Sequence, residues 1–540
     1  MKRLLSALLA VVMIVTAFAL TSCNNEPDPT QAPTTAPTPT QGNEPVVEPT
    51  QGGEPAVEPT QGGEPAVEPT QGGEPAVEPT QGGTTPDVGG SDDNDGYSKH
   101  SEYLDVDFGG FTFRFTTTSD WVDEVGRWCT EKEIAVDSRD GGTPIDTAVY
   151  DRNAVMKRLY NCNIEAVENT SNLVGNDILN GTSEYAFACQ QGGFYVTNSN
   201  FVNVKNLDLD MDIGGWNLPY FEALTVKDNN GVEKLYTIDG AFNLSTYRAT
   251  WVLMCNLDLY EQNFTESLFD IVASGNWTMD KMMELCAAVK QDTGDSVWTP
   301  GDDILGLMST TYNVPALITS AGLQFVQRDE NNALITGADI IKAGNAYAVA
   351  EKICEFYKDG WMYTGGYTEA QTQLEAGKTL FIGEVMDVLE RMKDNEALNV
   401  TVVPQPKFSA DQDKYLSYVN TKGTTYGVSK NACEGNYEMV ADFLNLFVFH
   451  SDKIVIPAFK NTFGSIYCQN ERAPEMLEQI MNGRSYDFAY YKTALYGTLT
   501  SELQQGTNNV NKAATKWAAS VKSNITTYLE NLTKAENVGA

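Results

Sequence analysis

Phe111-Thr-Phe-Arg-Phe-Thr116 alternates apolar and polar side chains with period two, the pattern of a strand with one buried face. Over 147–160 the apolar side chains of Ala148, Val155, Met156 and Leu159 recur on one helical face, and Asn163-Ile-Glu-Ala-Val167 then reads as a second short strand. The order strand, helix, strand requires a parallel crossover, so the folded part of the chain opens as an α/β body.

Working outward toward the C-terminus, the same grammar continues. Thr278 is placed to cap a helix, Asp280 complements its positive end, and Trp277 can staple onto Met282; Met282, Leu285, Cys286 and Val289 then share one face. Tyr426-Gly-Val-Ser reads as a strand and leads into a helix over 436–449 that buries Val440, Phe443, Leu444 and Phe447. A last helix over 512–532 carries Trp517, Val521, Ile525 and Leu529 at helical spacing. Trp277 and Trp517 are read as packing residues.

Toward the N-terminus the chemistry changes. Lys2 and Arg3 precede an apolar run over 4–20, which stops at Leu20-Thr21-Ser22-Cys23. This is a secretory signal (1–22), and the residues before Cys23 resemble the lipobox of bacterial lipoproteins, which makes Cys23 the lipidated first residue of the mature chain. Residues 23–100 then carry a Pro/Thr segment and four ten-residue copies, EPVVEPTQGG from Glu44 and EPAVEPTQGG from Glu54, Glu64 and Glu74. Paired prolines favour extended backbone, Gly pairs loosen it and the glutamates repel one another, so the segment is predicted to be a disordered stalk rather than a folded array. No later stretch approaches the roughly 18 apolar residues of a membrane span.

Composition sets the outer limits. At 540 residues, 41% hydrophobic and 20% charged, the chain is too apolar to be wholly disordered and too long for one core, so residues 101–540 are expected to form at least two lobes. The net charge of −37 opposes attraction to nucleic-acid backbones and anionic lipid. The stalk carries −13 of it, from 14 acids and one lysine over 24–99.

Little in the chain announces catalysis. Its two histidines, His100 at the linker edge and His450 after an apolar helix, lack companions at a metal-ligand or triad spacing; His450 is expected to be a partly exposed helix-end residue. After Cys23, the scattered Cys129, Cys162, Cys189, Cys255, Cys286, Cys354, Cys433 and Cys468 contain no CxxC pair and read as buried thiols, although an exported chain could pair them. The loop 292–303 has the length of a calcium loop, with Asp292 and Asp303 at its ends, but Gly294, Ser296 and Val297 stand where ligands and a turn glycine belong. No metal and no cofactor are expected.

Several stretches carry a resemblance. Pro144-Ile-Asp-Thr-Ala-Val-Tyr-Asp-Arg-Asn153, Leu235-Tyr-Thr-Ile-Asp-Gly240 with Trp251-Val-Leu-Met-Cys-Asn256, Gly275-Asn-Trp-Thr278 with Asp302-Asp-Ile-Leu-Gly-Leu307, Phe381-Ile-Gly-Glu384, and Val403-Pro-Gln-Pro-Lys-Phe408 with Tyr415 to Val419 succeed one another across 101–540. In their order and spacing they resemble the extracellular solute-binding proteins of ABC importers, family 1, of the Gram-positive lipoprotein type. Tyr185-Ala-Phe-Ala-Cys-Gln-Gln-Gly-Gly193 departs from that family's early loop, which presents an acid or aromatic after its Tyr.

The resemblance implies an α/β, two-lobed periplasmic-binding-protein-like fold (type II), with lobes discontinuous in sequence, crossing hinge strands and a C-terminal helical region. It also implies a monomer anchored at the outer face of the cell membrane that binds a carbohydrate, an oligosaccharide foremost, and passes it to an ABC transporter permease without catalysis. Sugars present apolar faces and polar edges, so the residues expected at the cleft are Gln190, Gln191, Asp239, Tyr247, Trp251, Trp361, Tyr363 and Glu384. Trp251 reads equally as a buried indole, and Asp239 and Glu384 as solvated charges. The alternatives are a binding protein for a peptide, polyamine or other non-sugar solute, and a secreted glycoside-active enzyme built on a carboxylate pair.

Overall fold

The structure is a computed structural model. It describes residues 96–534 except 118–130, 141, 169–172, 191–199, 311–312, 325, 331–332, 337–344, 359–361, 396, 422, 469, 489–499, 502 and 505–509, all within the unit Pro86–Ala540. The expected signal peptide, Cys23 and the repeats lie outside the described residues, as does Cys129. Residues 97–100 pack against the body: Lys99 Nζ donates to the carbonyls of Leu104 and Val106, and the His100 amide to Tyr160 Oη at 3.0 Å.

In the first lobe, β1 (Phe111–Thr117) pairs in parallel with β2 (Cys162–Glu168) on one side and β3 (Phe187–Gln190) on the other; β9 (Thr425–Val428) adds antiparallel to β3. The period-two reading holds over 113–115, where Phe113 and Phe115 are buried and Arg114 turns outward to Glu165 at 2.7 Å, and fails at Thr116 and Thr117, which are buried as well. The helix between β1 and β2, α2 (Pro144–Tyr160), begins three residues before the apolar periodicity does. Thr143 and Asp146 form a capping box there and Pro144 occupies the first turn. Helix α7 (Tyr437–His450) lays Phe443 on Phe113, ring centroids 3.7 Å apart, and Phe447 beside Phe115 at 5.4 Å.

The second lobe has a five-stranded sheet in the order β6 (Met362–Thr364), β5 (Leu305–Ser309), β7 (Thr379–Val385), β4 (Trp251–Asn256), β8 (Val400–Val403). β5, β6 and β7 run parallel and β4 runs against both its neighbours. Every residue of β4, β5, β7 and β8 is buried, as expected of a sheet covered on both faces. α4 (Met279–Val289), capped by Thr278, covers one of them with Cys286 against Gly306. Trp277 is buried with its indole N–H donating to the Pro404 carbonyl at 2.7 Å.

The chain passes between lobes repeatedly. Ile238 bridges Tyr426 and Thr250 bridges Val419, so residues 238–250, including α3 (Leu244–Arg248), run antiparallel to 419–426. Residues 484–485 pair with 417–418 at the same place. Beyond α7, the helix continues through π-helical turns at Ser451–Val455 and Thr462–Tyr467, and Ala473–Asn482 then packs on β8 of the second lobe. The C-terminal helix α8 (Val510–Lys534) packs beside the helix over 346–358, and its Thr533 Oγ1 accepts the Asn229 amide at 3.1 Å.

One expectation is overturned. His450 is 1% exposed rather than a half-solvated helix end, because the helix does not stop there: the following turn carries on, and Nε2 faces Tyr160 Oη at 3.3 Å. Among the described residues, no helix is long and apolar enough to cross a membrane.

Candidate functional site

In open α/β sheets, ligands are bound beyond the carboxyl ends of the parallel strands. Those ends are Thr117, Glu168 and Gln190 in the first lobe, and Ser309, Thr364, Val385 and Val403 in the second. Of the residues expected at the cleft, Gln190, Tyr363 and Glu384 stand at or next to such ends. Gln191 and Trp361 lie outside the described residues, and only the backbone of Gln190 is described, paired with Thr425.

Glu384 is fully buried on β7. Its Oε2 accepts the Val385 amide at 3.1 Å, and Oε1 has no hydrogen-bond partner among the described residues. Burial pushes its pKa up to about 8, against the opposing effects of the Val385 N–H, Thr310 and Arg391. At neutral pH the carboxyl therefore keeps its proton and can donate a hydrogen bond. Trp251 also is fully buried, its indole N–H without a partner among the described residues, but it points the other way: it pairs with Val385 while Glu384 pairs with Val252, and successive strand residues face opposite sides of the sheet. Tyr363, half-buried on edge strand β6, pairs with Met308.

Asp239 and Tyr247 are brought together, at the crossing between lobes and in the interior. Asp239 Oδ1 accepts Asn243 Nδ2 at 2.7 Å and Thr246 Oγ1 at 3.1 Å; Oδ2 accepts from Asn217 Nδ2 and, at 3.4 Å, from Tyr486 Oη. Burial raises its pKa, opposed by Arg484 and these donors. The Arg484 guanidinium lies 3.7 Å from the Tyr247 ring centroid, and Phe459 packs on the same ring at 5.6 Å. With the donors already committed, Asp239 acts as a knot tying 217, 239–246 and 484–486 together. Sequence reasoning missed Asn217, Arg484 and Tyr486, since no local spacing links positions so far apart in the chain.

Two further features bear on chemistry. In the loop 292–303, Asp292 Oδ1 accepts the amides of Gly294, Asp295 and Ser296, and Asp303 those of Thr293 and Thr299, so both carboxylates organise the loop's own backbone. A groove of about 790 Å³ opens between α1 (Glu131–Ile134), α2 and β2; it is flanked by Asp137, Asp140, Lys157 and Glu165 and lies along the sheet's outer edge, away from the strand ends.

No protein-family model matches the chain, and no curated protein matches it in sequence. Solved structures do. A cyclo/maltodextrin-binding protein complexed with maltotetraose superposes with a TM-score of 0.50 at 11% identity, covering 77% of this chain and 97% of its own. An ABC substrate-binding protein from Listeria monocytogenes in complex with cycloalternan (TM-score 0.45, 10% identity, 77% and 99% covered) and the MalE domain of Bdellovibrio bacteriovorus bound to maltotriose (0.45, 11%, 77% and 100%) are also similar. The described residues thus share the two-lobed α/β fold of that cyclo/maltodextrin-binding protein.

Proposed function

We propose that the chain is the solute-binding component of an ABC importer, tethered outside the cell membrane by a lipid on Cys23 and a stalk that begins there and gives way to the body at 97–100, and that it captures a carbohydrate of oligosaccharide size between its lobes. The observation that carries this reading is the fold: two sheets joined by antiparallel crossings at 238–250 and 419–426, superposable on a maltodextrin-binding protein over nearly all of the latter's length. Closure on the sugar would be driven by its higher affinity for the closed arrangement, which a permease then reads.

Within this proposal, Gln190, Gln191, Trp361, Tyr363 and Glu384 are the residues that meet the sugar. Asp239 and Tyr247 hold the framework, since both are bound into the crossing, and Trp251 faces the opposite side of the sheet from Glu384. Neutral Glu384 suits a ligand that offers hydroxyls rather than cations. The test is titration calorimetry of the full chain with maltotetraose and a panel of other oligosaccharides, with chromatography of the mixtures afterwards. Saturable heat with intact sugar is expected. Shortened products would replace the proposal with the glycoside-active enzyme, and heat only with peptides or polyamines would replace the ligand class.

A further inference from the structure

Arg248, the last residue of α3, places its guanidinium among carboxylates from both lobes. Glu133 of α1 lies 3.2 Å from its Nε, Asp387 of α6 (Asp387–Arg391) 3.9 Å from Nη1, and Glu390 closes on the same nitrogen. The Phe463 ring stands 5.6 Å away. Burial works to lower the Arg248 pKa, and Glu390, Glu133 and Asp387 more than reverse it, so the cation is held firmly charged.

The three acids do not belong to one body. α6 follows β7 directly, and the Met386 amide ahead of it donates to the Thr250 carbonyl at 2.9 Å, so Asp387 and Glu390 travel with Arg248 and the second lobe. Glu133 is fastened to the first lobe. α1 packs on β2 and α2, and the carbonyl of the adjacent Ile134 accepts Arg152 Nη2 at 2.6 Å and Asn153 Nδ2 at 2.9 Å. Arg152 is fully buried, 4.2 Å from the Phe447 ring centroid.

We propose that Glu133 and Arg248 form an ionic tie that sets the resting angle between the lobes, and so fixes the population from which a solute is captured; this rests on the reading that the lobes hinge. A change in that angle carries Glu133 with α1 while Arg248 stays with Asp387 and Glu390. The separation of this pair must then change, and parting a buried pair gives up its mutual attraction without restoring full hydration to either group. The observed angle is favoured by that amount over arrangements that part them.

Glu133→Gln tests the tie without stripping Arg248 of counter-charge, because Asp387 and Glu390 remain. Nitroxide labels at Lys157→Cys on α2 and Ala287→Cys on α4, both exposed, report the interlobe distance by double electron–electron resonance in the full chain without sugar. The chain lacking these two cysteines supplies the labelling background. The distance distribution is expected to shift or broaden in Glu133→Gln, to change less in Glu133→Asp, and to stay as in wild type in Asp387→Asn, which loosens Arg248 and Arg391 without touching Glu133. An unchanged distribution in Glu133→Gln, or an equal change in Asp387→Asn, overturns the proposal. Since no solute is present, this outcome is independent of whether the calorimetry finds a sugar.

Discussion

At Glu384, an acid whose folded pKa stands above its unfolded value makes stability depend on pH in a definite sense. The folded state holds the proton and the unfolded state releases it, so this group's contribution is complete below about pH 4.5 and is lost as pH rises toward about 8, at up to about 1.4 kcal/mol per pH unit. Glu384→Gln abolishes that slope: in thermal melts from pH 5 to 9 the variant should gain on wild type with rising pH, and parallel curves would show that the carboxyl is not held protonated. Asp239→Ala leaves Asn217, Asn243 and Thr246 donors without their acceptor and Arg484 without its nearby charge; a loss of about 3 kcal/mol in urea unfolding is expected. Both residues are visible in the sequence as acids near strand ends, but whether each meets solvent, ligand or a private set of donors is not. That distinction depends on Arg484 and Tyr486, more than 230 positions from Asp239, and on which way a pleated strand turns its side chains.

Elements were more legible than sites because their signals are local. The alternation at 111–116, the cap at Thr278 and the aromatic face of α7 need only neighbours within a few residues, and each element forms where they stand. Thr278→Ala should cost about 1 kcal/mol, read as a lower urea midpoint at unchanged slope, since only the Lys281 amide loses its acceptor. What local pattern could not show is how closely elements approach. Gly383, inside β7, lies where an added Cβ would come within 2.8 Å of Asn313 Oδ1, on α5 (Asn313–Ser320). Gly383→Ala is therefore expected to lower the melting temperature more than Thr278→Ala does, despite the better strand former it introduces. Periodicity placed the end of α7 to within one residue, but not its continuation past His450, where the helix widens into π-helical turns.

For the whole molecule, chain length was enough to expect two lobes and the order of the first elements an α/β body, whereas the crossings that join the lobes are made from single bridges, such as Ile238 to Tyr426, which leave no periodic trace. A solute that binds only the folded chain must stabilise it by mass action, by about 2.7 kcal/mol at a hundredfold excess over Kd, so the melting temperature should climb with the logarithm of maltotetraose concentration. A flat response at millimolar sugar would count against a carbohydrate ligand. Seven described cysteines, from Cys162 to Cys468, are buried, and no disulfide joins any two of them. No bridge among these seven has to form on folding, and reductant should leave the melting curve where it is. Their sulfurs become reachable only when the packing around them opens, so the rate at which a coloured thiol reagent is consumed in native buffer becomes a built-in clock for transient unfolding.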